Sequence, residues 1–255
     1  MQLTDFKALT FDCYGTLIDW ETGMLKAYQD LIAKAGKKLT RDRVLETHAR
    51  YEADQGARTP AMPYSELLGV VHSRVAQEWG VSTTAEENAR FGGSVPDWPV
   101  FPDSAVALQY LKKYYKLVIL SNVDRASFKG SNARLQVEFD YIFTAQDIGS
   151  YKPSQKNFDY LIERLTAHGI RKHEILHTAE SLFHDHLPAN KAGLASAWIH
   201  RRHAQQGFGA TRPPDTMPHY DFKFTSMADM AHAHQQLMIN FLQKVASLNQ
   251  IPTKI

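Results

Sequence analysis

Short apolar runs recur along this chain, each closed by a polar turn: residues 7–11, 116–120, 141–144, 175–178, 195–199 and, more weakly, 222–224. Runs this short between polar turns favour strands over helices. Helical patterns separate the later runs, over 104–115, 154–168 and 185–192, the last stopped by Gly193. Such alternation predicts βαβ units. Their right-handed crossovers give an α/β fold with a doubly wound, Rossmann-like parallel sheet.

The interval from Trp20 to Trp98 breaks the rhythm, because it holds no convincing strand. Leu25, Leu31 and Ile32 mark one amphipathic helix and residues 44–53 a second. Leu67, Leu68, Val71, Val75 and Trp79 mark a third at helical spacing. These stripes are expected to be core, not cofactor contacts. The chain returns to the sheet through 96–102 (PDWPVFP), a hinge by its prolines. The expected organisation is therefore a core of residues 1–19 and 99–255 with a helical insertion at 20–98. The tail after Ile251 is expected to fray.

The 255 residues suffice for one sizeable core with a smaller satellite. The 29 basic and 27 acidic residues are scattered and leave a net charge of +2. That distribution gives no support to a nucleic-acid or membrane partner. No run approaches the length of a bilayer span, and no basic-then-apolar leader opens the chain. With Cys13 alone, no intrachain disulfide can form. The expected setting is the cytoplasm and the expected partner a small-molecule substrate.

The chemistry-bearing residues fall at strand ends, where open α/β sheets bind their ligands. Asp12 ends the first strand in Phe11-Asp12-Cys13-Tyr14-Gly15-Thr16-Leu17, and Gly15 and Thr16 allow a sharp turn with backbone N–H groups exposed to an anion. The second strand ends in Leu120-Ser121-Asn122. After the third comes Tyr151-Lys152-Pro153, and the fourth leads into Ala179-Glu180-Ser181-Leu182-Phe183-His184-Asp185. Each piece alone reads as a cap or a solvated charge. Strand alternation points Cys13 away from Asp12, so it is expected to be packing. His184 and His186 are expected to be ordinary polar loop residues.

In this order the residues resemble the haloacid dehalogenase-like superfamily over nearly the whole chain. The resemblance makes Asp12 the nucleophile, Ser121 the second motif, Lys152 the third, and Glu180 with Asp185 the acidic fourth. It makes the helical insertion a cap. It implies covalent catalysis, in which a carboxylate forms an aspartyl ester that water hydrolyses. Phosphatases of the superfamily usually carry a second aspartate two residues after the nucleophile, to protonate an alkoxide; here Tyr14 stands there. Tyr14, Leu120-Ser121-Asn122 and Trp198-Ile199-His200-Arg201 resemble the 2-haloacid dehalogenase branch, often labelled type II.

That resemblance implies attack by Asp12 on C2 of a short 2-haloalkanoic acid. Thr16 and Ser121 would orient the nucleophile or hold the substrate carboxylate, with Tyr14 and Asn122 as further substrate contacts. Lys152 would lower the Asp12 pKa, and Asp185 would activate water. Arg50, by its rough place in the cap, is the expected halide cradle, with Arg58 and Arg41 as competitors. Lys152→Met is expected to leave stability near wild type or higher. No cofactor or metal is expected, and cap-bearing relatives suggest a homodimer by analogy.

The sequence also departs from the branch: no Ser-Asn pair precedes Asp185, and Phe158 replaces a tyrosine six residues after the lysine. A rival is therefore a magnesium-dependent phosphatase or phosphonatase, with Asp12, Glu180 and Asp185 as oxygen ligands. A non-enzymatic binding scaffold is the weakest reading, since it has no need of an acid and a lysine at converging strand ends.

Overall fold

The computed structural model describes residues 1–248, so the tail after Ile251 lies outside the described residues. All six expected strands form: β1 (Ala8–Phe11), β2 (Lys116–Ser121), β3 (Tyr141–Thr144), β4 (Ile175–Ala179), β5 (Ala195–Ile199) and β6 (Phe222–Phe224). They make one sheet in the order β3-β2-β1-β4-β5-β6, every pairing parallel. β1 and β4 are buried at every residue, as expected of strands covered on both faces. The strand order reverses direction between β1 and β4, which opens a crevice beyond their carboxyl ends.

Five helices fill the interval that lacks strands: α1 (Trp20–Ala27), α2 (Gln29–Ala35), α3 (Arg41–Arg58), α4 (Tyr64–Trp79) and α5 (Ala85–Gly92). Where one first helix was expected, there are two, meeting at Tyr28. That side chain is fully buried against Phe91, at 4.4 Å between ring centroids, and His72. α3 extends well beyond 44–53 because Thr40 caps it, its hydroxyl accepting from the Arg43 N–H. Six helices follow: α6 (Ser104–Leu111), α7 (Arg125–Leu135), α8 (Ala145–Ile148), α9 (Gln155–Ala167), α10 (Leu187–Ala192) and α11 (Met227–Leu248). α5, α7, α8 and α11 had not been expected.

Leu9, Phe11, Leu117 and Ile119 on one face of the sheet join Leu17, Met24, Leu68 and Val75 in a single buried cluster. Apolar burial thus continues from the sheet into α1 and α4. The opposite face packs Val118 and Leu120 against Phe158, Leu161 and Leu165 of α9 and Ala189 of α10. Cys13 is buried and free, as expected. No helix among the described residues is long and apolar enough to cross a membrane.

Candidate active site

The chain leaves β1 through Asp12 and turns at once. Gly15 has φ +95°, a backbone state that L side chains rarely adopt, and a Cβ there would stand 3.0 Å from the Trp20 indole nitrogen. Its N–H donates to the Ile18 carbonyl at 2.8 Å. The turn brings Thr16 back over the strand end, where its hydroxyl donates to Asp12 Oδ2 at 2.9 Å. The same hydroxyl accepts the Glu180 N–H at 2.9 Å, so one threonine ties the β1 and β4 loops together. Arg201, after β5, holds the loop from outside: its Nε donates to the Thr16 carbonyl and its Nη1 to Asp103.

Lys152 reaches the other oxygen. Its ammonium lies 2.9 Å from Asp12 Oδ1, 2.7 Å from Asp185 Oδ1 and 3.0 Å from the Leu120 carbonyl. All three hydrogens are thereby used. Burial works against the charge, but the Asp12 and Asp185 carboxylates outweigh it and raise the Lys152 pKa. For Asp12 the balance runs the other way from the expectation. Burial raises its pKa, ahead of the pull of the lysine, and the Asp185 charge adds to the rise.

Asp185 sits in a short π-helical turn, Leu182–His186, capped by Ser181; such turns recur at functional sites. Its Oδ1 takes both Lys152 and Nε2 of His177, the latter at 2.9 Å. Its Oδ2 is buried and has no partner among the described residues. Although burial opposes it, Lys152 and His177 hold the Asp185 pKa well below the usual carboxylate range. His177 is itself fully buried on β4, its Nδ1 2.8 Å from the Thr10 hydroxyl. Above these groups opens a cavity of about 600 Å³, lined by Asp12, Ser121, Lys152 and Asp185 below and by residues of α3 and α4 above. The Ser121 hydroxyl, on that floor, is likewise buried and without a partner.

With this arrangement in place, comparison with known proteins settles the family. The sequence model of the haloacid dehalogenase-like hydrolases matches residues 6–179. The chain belongs to that family. Among curated relatives of this hydrolase is the Rhythmically expressed gene 2 protein of Drosophila melanogaster, 22% identical over 78% of this chain and 85% of that protein. Another is the (S)-2-haloacid dehalogenase 4A of Burkholderia cepacia, 24% identical over 77% and 84%. Among solved structures, the L-2-haloacid dehalogenase of Xanthobacter autotrophicus with chloropropionic acid covalently bound superposes with a TM-score of 0.73. It is 18% identical, with 90% of this chain and 98% of that one covered. At this identity the likeness speaks for the fold alone.

Not every residue named from the sequence meets the cavity of this hydrolase. Arg50 is exposed and ion-paired with Glu78, stacked on Tyr51, and does not line the cavity. It is therefore no halide cradle. Arg58 pairs with Asp54 and Arg41 with Glu21, so neither competitor replaces it. The arginine that does line the cavity is Arg212, in the irregular segment after β5, with its guanidinium over the Phe183 ring. Asn122 borders the cavity, and its amide donates to the Lys152 carbonyl and accepts the Lys152 N–H, at 3.0 and 2.7 Å. Tyr14 borders the cavity, but its hydroxyl pairs with Ser131 at 2.9 Å. His186 is a satisfied interior residue, bonded to Ser196 and the Ala179 carbonyl, whereas His184 borders the cavity.

A dication held by Asp12, Glu180 and Asp185 does not fit this arrangement. The Lys152 ammonium occupies the side that Asp12 and Asp185 share. Glu180 borders a separate cavity with Glu21, Arg41 and Arg202. Burial there, then the Glu21 and Asp12 charges, raise its pKa to about 8. Among the described residues no group of three His, Cys, Asp or Glu is disposed to hold a metal.

Proposed function

We propose that this hydrolase removes halide from a short 2-haloalkanoic acid through an ester on Asp12. The observation that carries this reading is the pair of contacts on the nucleophile loop. Thr16 and Lys152 pin the two oxygens of Asp12 at the cavity floor, while the Tyr14 hydroxyl turns aside to Ser131. No group of that loop is placed to protonate a departing alkoxide, and a halide needs no proton.

In the first step Asp12 forms a C–O bond to C2 as the carbon–halogen bond breaks and halide departs with the electron pair. The Ser121 hydroxyl and Arg212 offer a donor and a cation to the substrate carboxylate. In the second step water attacks the Asp12 ester carbonyl. Asp185 Oδ2, free of partners, takes a proton from that water and returns it to the departing 2-hydroxy oxygen. Asp12 is regenerated holding one oxygen of the water, and one proton is released overall.

Single turnover in heavy-oxygen water tests this directly: the label is expected in the Asp12 side chain, read by peptide mass. Label in the product alone means direct attack by water and ends the ester reading. A panel of chloroacetate, 2-chloropropionate and phosphate esters, read by halide and phosphate release, decides the leaving group. We expect halide release to survive EDTA, since Lys152 already supplies the positive charge beside Asp12. The unpartnered Asp185 Oδ2 is the one feature that favours the magnesium phosphatase reading. Activity lost on chelation and restored by magnesium would establish that alternative.

A further inference from the structure

The cavity roof carries an acid that the proposed reaction does not use. Glu52 on α3 lines it beside Ala53, Gly56 and Ala57, whose small side chains leave the space under the helix open. Tyr64, at the start of α4, donates its hydroxyl to Glu52 Oε1 at 2.6 Å. Oε2 has no hydrogen bond among the described residues; the ring of His48 stands 3.8 Å away. That imidazole is neutral, since burial lowers its pKa to about 3. The Glu52 charge is also felt by the phenols of Tyr28, Tyr64 and Tyr151.

The arginines of the same two helices turn elsewhere. Arg43 and Arg50 pair with Glu78, Arg58 and Arg74 with Asp54. Of the cavity's cations, Lys152 is held by two carboxylates and Arg212 lies over Phe183. Lys156, the third, is exposed and forms no ion pair among the described residues. Burial raises the Glu52 pKa to about 7, with no cation to bring it back down. Once ionised, a largely desolvated carboxylate with one oxygen unpaired and no cation beside it is costly. Facing a ligand cavity, it is complemented most simply by the ligand.

Size points the same way. The cavity of about 600 Å³ lies within the ~300–1,000 Å³ range of sites that enclose drug-sized molecules, well beyond a chloropropionate. We propose that Glu52 determines specificity by receiving a protonated amine at the end of the substrate remote from its reacting carbon. The substrate class is then an ω-amino 2-haloacid rather than a plain one. This rests on the reaction proposed above for its reacting end, while the amine contact is testable without any turnover.

The test uses Asp12→Asn protein, which holds ligand without reacting. Calorimetric titration compares unbranched ω-amino carboxylates with plain carboxylates of the same length, at pH 8. The amine is expected to tighten binding about tenfold or more at the best length, the worth of one charge-assisted hydrogen bond. Adding Glu52→Gln should abolish that gain, and adding Glu52→Asp should keep part of it. Tyr64→Phe, which retains the carboxyl, should preserve the preference and guards against a folding artefact. Equal affinity for the two series, or a gain that survives Glu52→Gln, overturns the proposal. In a parallel arm, wild-type protein is assayed for halide release from 2-chloro acids with and without the amine. Absence of halide from every substrate defeats the reaction reading and leaves the binding result standing. Equal kcat/KM for both kinds defeats the specificity reading alone.

Discussion

Lys152 has no hydrogen left for water or substrate, and this changes what its removal should do. Lys152→Met leaves Asp12 and Asp185 buried and uncompensated, and breaking a buried pair in this way costs about 3–5 kcal/mol. At neutral pH we expect melting to fall by roughly 10 °C, along with loss of most turnover. This replaces the expectation from sequence of stability near wild type or higher, which rested on an active-site charge often costing stability. Melting near wild type would mean the three contacts are not formed. His177 gives a second prediction. It fixes Asp185 Oδ1 and leaves Oδ2 as the free base, so His177→Asn should slow ester hydrolysis more than ester formation. Intact-mass analysis during turnover should find covalent adduct on Asp12, with kcat reduced roughly tenfold for each 1.4 kcal/mol of orientation lost. No adduct and an unchanged kcat would assign His177 to packing. That Asp12, Thr16, Ser121, Lys152 and Asp185 come together was legible because strand ends converge in this topology. His177 was not, although a histidine inside an apolar strand was a signal for it. Arg50 was misplaced because the face a helical arginine presents depends on its partners, here Glu78.

Helices that went unread from the sequence had weak local signals with a tertiary cause. α7 contains Gly130, an unfavourable residue inside a helix. A Cβ there would meet the Pro96 ring at 2.4 Å, so the glycine allows the 96–102 stretch to lie against the helix. Arg134 strengthens that contact by donating to the Pro96 carbonyl. Gly→Ala inside a helix ordinarily stabilises by about 0.4–1 kcal/mol. Gly130→Ala should instead destabilise, by about 1–3 kcal/mol of overpacking, and lower the melting temperature. A raised melting temperature would show that the approach is looser than described. α11 was readable in principle: Met227, Met230, Ala231 and His234 are buried and recur at helical spacing. Its packing partner is α6, far away in sequence, so only the stripe itself could have announced it. The break at Tyr28 had no local mark at all, because it comes from the aromatic stack that α3, α4 and α5 build around that ring.

At the scale of the whole molecule, stability should follow buried groups of opposite sense. Buried His48, His184 and His186 have pKa values lowered by desolvation to about 3, 4 and 4, so the unfolded chain binds more protons than the folded one below about 6.5. Stability therefore rises with pH up to that point. Glu52 and Glu180 are raised by burial from 4.5 to about 7 and about 8, so the folded chain keeps protons that the unfolded chain has released. Their contribution falls as pH rises, and between about 6.5 and 8 it acts unopposed by these histidines. The melting temperature should peak near pH 6.5 and decline toward pH 8, and Glu180→Gln should flatten that decline. A melting temperature still climbing at pH 8 would contradict the described burial. The parallel sheet itself was legible to within a residue at each strand boundary, since buried strands write continuous apolar runs. The strand order has one more consequence, for how the protein comes into being. β1 is made first yet stands at the centre of the sheet, with Ala8 beside Lys116 on one side and Ile175 on the other. During synthesis the strand that ends at Asp12 gains its first neighbour only when β2 emerges and its second only when β4 does. Its apolar residues are then a liability that a nascent-chain chaperone would have to cover.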